Sequence, residues 1–262
     1  MNVPAPAGGK DLRSWRIRTF ARLASTSDFC RERAAAGEPD GLAVLAAEQS
    51  AGRGRDARSW QSPPGNLFLS VLLRPPIRTE AAGQYALLTG VAVWEALAAF
   101  LPDPAALSLK WPNDLLLGGR KLAGILLESA SAADGRLAWL VIGIGANLSA
   151  APSVPGRATA CLADAAIAPP STEDAAHAVL ARLAHWQARL EAEGFAPVRA
   201  AWLAHAHPPG ASLVFHGPTG LRHGTFAGLT ESGALRLATE KGTKTFAAGE
   251  VLEELTDTSC FS

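Results

Sequence analysis

Cysteine is scarce in this chain, with three in 262 residues, and the three form no pair. Cys30, Cys161 and Cys260 lie too far apart for a CxxC motif and are too few for a disulfide framework. Reduced thiols in a cytoplasmic protein are the expectation. No run reaches the roughly 18 apolar residues that suggest a membrane span, and the nearest, Tyr85 to Leu101, is broken by Glu95. The opening MNVPAPAGGKDLRSW lacks the apolar centre of a signal peptide. Neither sign of charge is in excess, with 24 basic against 24 acidic residues. That balance argues against an obligate polynucleotide binder, whose affinity rests on neutralised phosphates. The histidines at 177, 185, 205, 207, 216 and 223 show no metal-site spacing with acids or cysteines, so surface positions and no protein-only metal site are expected.

What is present is a globular chain. Apolar residues at 48% and charged residues at 18% exclude disorder. The length suits one sizeable core and a smaller unit. Residues 1–12 hold Pro, Gly and Lys without periodicity and are expected to be flexible. Arg13 to Leu23 reads as a strand. A helix follows from an N-cap at Ser25 to a stop at Gly37. Leu42–Ala47 and Asn66–Arg74 read as strands and Glu80–Leu101 as a helix. Ser108–Pro112 is expected as a strand, Leu115–Leu117 with Lys121–Ser129 as a hairpin, and Leu137–Gly143 as a further strand. Ser171 to His205 reads as helix with a break near Gly194 and Pro197. From Gly210 on, short β-type segments are split by glycines, which points to a small barrel-like module after a boundary near His207–Gly210.

Three segments carry chemistry. Gln49 to Pro64 is polar, Gly- and Arg-rich and too long for a turn, and such loops are usually functional. Within it Gly52-Arg53-Gly54-Arg55 combines a backbone free to approach a ligand with forked donors for carboxylate or phosphate, continued by Arg58 and Trp60. Read alone, the same residues also suit a solvated basic loop. Lys110-Trp111-Pro112-Asn113-Asp114 is followed by Arg120-Lys121-Leu122-Ala123-Gly124-Ile125-Leu126, where Lys121 either faces an anion or guards a strand edge. Asn113 and Asp114 also suit a plain turn. Gly143-Ile144-Gly145-Ala146-Asn147 opens no helix, so it is not a dinucleotide fingerprint.

In this order and spacing, Ser25-Thr26, Gln49 through Trp60, Lys110 through Asp114, Arg120 through Leu126 and Gly143 through Asn147 resemble the biotin–protein ligases over about residues 20–255. Two positions depart from the family pattern. Ala57 stands where Gly is usual, and Ser27 where Asn is common. The resemblance implies an α+β fold of the class II synthetase-like type: a mixed, mostly antiparallel sheet with helices on one face over 13–207, then an SH3-like barrel over 208–262. It implies an ATP-dependent ligase that forms biotinyl-5′-AMP and passes biotin to a lysine of a biotin carboxyl carrier protein of acetyl-CoA carboxylase or a related carboxylase.

By the resemblance, Lys121, Arg53 and Arg55 are the catalytic cations. Ser25, Thr26, Ser27, Gln49, Gly54 and Gly124 join them around biotin. Trp60, Asn113 and Asn147 join them around ATP, with Trp60 and Trp111 as apolar walls. Mg²⁺ arrives with the nucleotide, and Asp114 either helps with Mg²⁺–pyrophosphate or orients Lys110 or an arginine. Some members carry an N-terminal winged helix. The segment before Ser25 is too short for one, so no operator DNA, no repressor activity and no membrane partner are expected, while a homodimer is open. The competing readings are a lipoate ligase or octanoyl transferase, whose loop type is not found here, and a non-catalytic biotin-binding module.

Overall fold

The structure, a computed structural model, describes residues 14–252 apart from 167, 218 and 219. The flexible segment expected over 1–12 and the third cysteine, Cys260, lie outside the described residues. Strand β1 (Arg16–Leu23) leads into helix α1 (Thr26–Ala35). Ser25 caps that helix, its hydroxyl accepting from the Asp28 amide at 3.3 Å, an interaction that stabilises a helix by about 1 kcal/mol. Strands β2 (Leu42–Gln49) and β3 (Leu67–Leu73) follow, then helix α2 (Gln84–Ala98). Next come β4 (Leu107–Lys110), β5 (Asp114–Leu117), β6 (Arg120–Ser131) and β7 (Leu137–Ala146), and helices α3 (Thr172–Glu193) and α4 (Ala196–Ala204). The two last helices separate where Gly194 takes φ +76° and Pro197 enters the first turn of α4.

The seven strands form one sheet in the order β1-β2-β3-β7-β6-β5-β4. Only β1 and β2 run parallel; the other pairs are antiparallel. Side-chain alternation sends Ala43, Leu45, Leu67, Leu69, Val71, Ile142 and Ile144 to one face, where they meet α2 and α3 in the main core. Helix α2 is buried on most of its circumference, as its sequence QYALLTGVAVWEALA requires. The one-sided helical cover holds for α2 and α3, while α1 lies on the other face. There its Cys30 and Ala34 pack on Leu42, Val44, Leu72 and Val141, and burial pushes the Cys30 thiol up to about 12, with Glu38 adding to the effect. The rest of that second face, beside α1, is left for the site.

The C-terminal unit comprises β8 (Ser212–Gly217), β9 (Gly220–Leu229), β10 (Leu235–Thr239), β11 (Gly242–Phe246) and β12 (Glu250–Leu252). They pair antiparallel in the order β11-β10-β9-β8-β12, a small SH3-like sheet that is not closed by hydrogen bonding among the described residues. Trp111 ties it to the first sheet. Its Nε1 donates to the Gly233 carbonyl at 3.2 Å and its ring packs on Phe215. Trp111 therefore does not wall the site as expected, because its indole is consumed by the junction. Two histidines also depart from the surface expectation. His205 stacks on Trp94 of α2 with ring centroids 3.5 Å apart, and His207 meets Phe226 of the second sheet edge-on, so each flat ring fills a joint beside the end of α4. Among the described residues no helix is long and apolar enough to cross a membrane.

Candidate active site

The free part of the second face carries a cavity of about 430 Å³, and glycines make its floor. Strand register sets Gly124 of β6 opposite Gly145 of β7, and Gly143 of β7 opposite Ser70 of β3. The pleat alternation that buries Ile142 and Ile144 turns Gly143 and Gly145 to the site. A methyl at 145 would lie 2.5 Å from the Trp60 ring, and one at 143 would lie 2.4 Å from Ser27 Oγ. The Gly-x-Gly pattern is thus a steric requirement of a tightly lined floor. Trp60 lies across it, at the end of the Gln49–Pro64 loop.

Lys121 reaches this floor through a β-bulge. Ala123 pairs with Leu115 and Lys121 with Leu116, so Leu122 is an extra residue in β6. Leu122 and Ala123 both enter the core, and Lys121 shares the site face with Gly124, three positions away rather than two. Its Nζ donates to Asp114 Oδ1 at 2.6 Å, and Lys110 Nζ lies 3.2 Å from Asp114 Oδ2. Burial of Asp114 favours its neutral form, but Lys121 and Lys110 outweigh that and hold the carboxyl below the usual carboxylate range. Each carboxylate oxygen of Asp114 thus faces one lysine.

One end of the cavity is a hydroxyl and amide network. The Thr26 amide and hydroxyl both donate to Gln49 Oε1, at 2.9 and 3.1 Å. Thr26 Oγ1 and Ser27 Oγ share Ser70 Oγ at 2.8 and 3.0 Å. Gln49 Nε2 donates to Ser62 Oγ at 3.1 Å. Ser70 was not anticipated, although a lone hydroxyl inside the apolar run NLFLSVLLR is a readable signal. At the other end Asn147 is buried and donates to the Ala160 carbonyl at 3.0 Å. Asn66, also unanticipated, accepts from the amides of Leu148, Ser149 and Ala150 and shapes the exit of β7.

The loop arginines take separate partners. Arg53 pairs with Glu128 and, at 2.9 Å, with Asp28, which keeps its guanidinium firmly protonated despite partial burial. Arg55 donates to Asn113 Oδ1 and to the Gly249 carbonyl, both at 3.2 Å. Asn113 in turn donates to the Ile125 carbonyl at 2.6 Å. Gly54 sits in the turn, its amide bonded to the Arg58 carbonyl at 2.7 Å. Arg58 grips Glu250 with two hydrogen bonds, and Arg157 joins the same carboxylate. Glu128 ends the alternating run from Gly124 and was legible in principle. Glu250 and Arg157 carry no local signal, since Glu250 comes from the second sheet. Thus Ser25, Thr26, Ser27, Gln49, Arg53, Gly54, Arg55, Trp60, Asn113, Asp114, Lys121, Gly124 and Asn147 all border one cavity.

The comparisons fit this architecture. Residues 19–147 match the biotin/lipoate A/B protein ligase family and residues 218–252 match the biotin protein ligase C terminal domain. The chain is 40% identical over 218 residues to a biotin–[acetyl-CoA-carboxylase] ligase of Paracoccus denitrificans, covering 79% of this chain and 88% of that one. It is 31% identical over 236 residues to a bifunctional ligase/repressor of Bacillus subtilis, covering 87% and 71% respectively. Among solved structures, the biotin protein ligase of Aquifex aeolicus in complex with biotin and ATP superposes with a TM-score of 0.76 at 26% identity, covering 90% of this chain and 97% of that one. Two matched segments, one in each sheet, together with the extent of the Paracoccus match, place this chain in the biotin protein ligase family.

Proposed function

We propose that the cavity performs ATP-dependent activation of biotin to biotinyl-5′-AMP and transfer of the biotinyl group to a lysine of a biotin carboxyl carrier protein. The observation that carries this reading is Lys121, set on a glycine floor and fixed by a buried carboxylate, with an arginine loop alongside. The chemistry joins two anions, a carboxylate and a phosphate, so the protein must position them and offset the charge that builds between them. Lys121 supplies that charge at a fixed point. Arg53 and Arg55 reach the cavity from a loop that shields a hydrolysable mixed anhydride from water.

The Thr26–Gln49–Ser70–Ser27 network offers donors and acceptors suited to a ureido ring, and Ser25 holds it by capping α1. Gly124 and Gly54 line the biotin side, and Trp60 lines the adenylate side. Asn113 and Asn147 border the adenylate side, where Asn113 holds Arg55. Asp114 orients Lys121 and Lys110, and Mg²⁺ accompanying ATP is assigned no ligand there. The carrier of acetyl-CoA carboxylase or a related enzyme is the proposed acceptor. The balanced charge supports a ligase that does not bind operator DNA, and the buried free thiols Cys30 and Cys161 support a cytoplasmic setting.

Replacing Lys121 by Ala tests the assignment. Biotin-dependent ATP–pyrophosphate exchange should fall at least about 100-fold, the scale of losing one electrostatic donor, while biotin binding by calorimetry stays within a few-fold. Unchanged exchange would remove Lys121 from the mechanism. Wild-type exchange driven by lipoate rather than biotin would overturn the substrate.

A further inference from the structure

The second unit reaches the arginine loop through two adjacent residues, Gly249 and Glu250, of which Glu250 lines the cavity, and each takes one arginine of the loop. Arg55 donates to the Gly249 carbonyl, and Arg58 grips Glu250 at 3.0 and 2.8 Å. Arg157, from the opposite wall, donates to the same Glu250 at 2.9 Å. We propose that Glu250 is a positioning residue that clamps the arginine loop to the opposite wall, so that the second sheet governs how long the activated intermediate stays enclosed. The inference rests on the proposed function for its consequence, though the clamp itself is a feature of the fold.

Three observations carry it. Glu250 is only 14% exposed, so its pairing with two guanidiniums is less screened than an ordinary surface bridge. The strand that bears it pairs with β8 along its whole length, Glu250 opposite His216 and Val251 opposite Phe215. A Cβ at Gly249 would fall 2.3 Å from Phe215, which is itself fully buried, so only glycine fits beside Glu250. The loop, in turn, needs holding: Asp56 and Ala57, between the two clamped arginines, both sit at positive φ, 54° and 57°. Left-handed backbone at two successive non-glycine residues favours another conformation unless external contacts maintain it.

The test has two arms on the full-length protein. In the first, which does not depend on activity, limited trypsin digestion is followed by mass spectrometry for cuts after Arg53, Arg55 and Arg58. E250Q, which keeps shape but loses charge, should speed those cuts at least about fivefold, with E250D intermediate. In an E250Q/R58A pair the cut after Arg55 should be no faster than in R58A alone. In the second arm, with biotin and ATP, E250Q should release biotinyl-adenylate to bystander lysines of serum albumin about tenfold faster, while pyrophosphate formation in a single turnover stays within about twofold. Unchanged proteolysis in E250Q, or additive effects in the pair, would overturn the clamp. A lowered KM for ATP with unchanged release would overturn it too, making Glu250 a competitor of the phosphates. Faster proteolysis in a protein whose wild type makes no adenylate would uphold the clamp and refute the proposed function instead.

Discussion

With both carboxylate oxygens bound to lysines, Asp114 carries a charge balance that a change of one atom upsets. Its side chain is 4% exposed, that of Lys110 7% and that of Lys121 17%. Asp114→Asn keeps the volume but leaves two ammonium groups facing a neutral amide in a largely dry place. Removing one member of a buried ionic set costs about 3–5 kcal/mol, so urea denaturation should show a loss of that order. Adenylation should also fall, since Lys121 loses the contact that aims it. The pH dependence has a definite sign. A carboxyl whose folded pKa is depressed contributes stability that is present above the ordinary carboxylate range and is lost as pH falls through the depressed value. The variant should therefore show a flatter acid limb than wild type, and an unchanged acid limb would remove Asp114 from the charge balance.

At the scale of elements, the loop from Gln49 to Pro64 holds the next test. Ala57 sits at φ 57°, a backbone that costs an L-residue with a Cβ about 1–2 kcal/mol and a glycine almost nothing. Ala57→Gly should raise stability by about 1 kcal/mol, read as a shifted urea midpoint at constant m. Ala57→Val should move it the other way, and a midpoint that ignores both would mean the loop does not share in cooperative unfolding. The strain was invisible in the sequence, which showed only that Ala replaces a usual Gly. Strands, helices and the motif order were legible because apolar period, the cap at Ser25, and Gly–Pro breaks are local signals. The bulge at Leu122 was not. It arises from pairing with β5, a partner that the alternation within β6 does not reveal, yet it decides that Lys121 faces the cavity. Ser70 and Glu128 came into the site by sheet register, Asp28 from the first turn of α1, and Glu250 by packing of one sheet on another across 192 positions from Arg58.

At the end of α4 the whole molecule is joined along a seam of two histidines, His205 against Trp94 of α2 and His207 against Phe226 of the second sheet. Burial lowers the pKa of both; Lys110 lowers that of His207 further, whereas Glu95 partly offsets the effect at His205. His207 Nε2 is buried without a hydrogen-bond partner, so a proton there would bring a charge into an apolar contact with Phe226, beside a lysine. In the unfolded chain both rings take up protons near pH 6.5. The folded protein resists that uptake, so stability is complete above that value and declines as pH falls toward the depressed values. The thermal midpoint should drop between pH 7.5 and 5.5. His207→Leu removes the titrating ring and keeps an apolar side chain against Phe226, so it should reduce that slope while costing little at pH 7.5. Because Lys110 is shared between this seam and Asp114, acid loosening at the seam should also slow adenylation reversibly. A variant that melts with the wild-type pH slope would show that proton uptake at the seam does not control the junction.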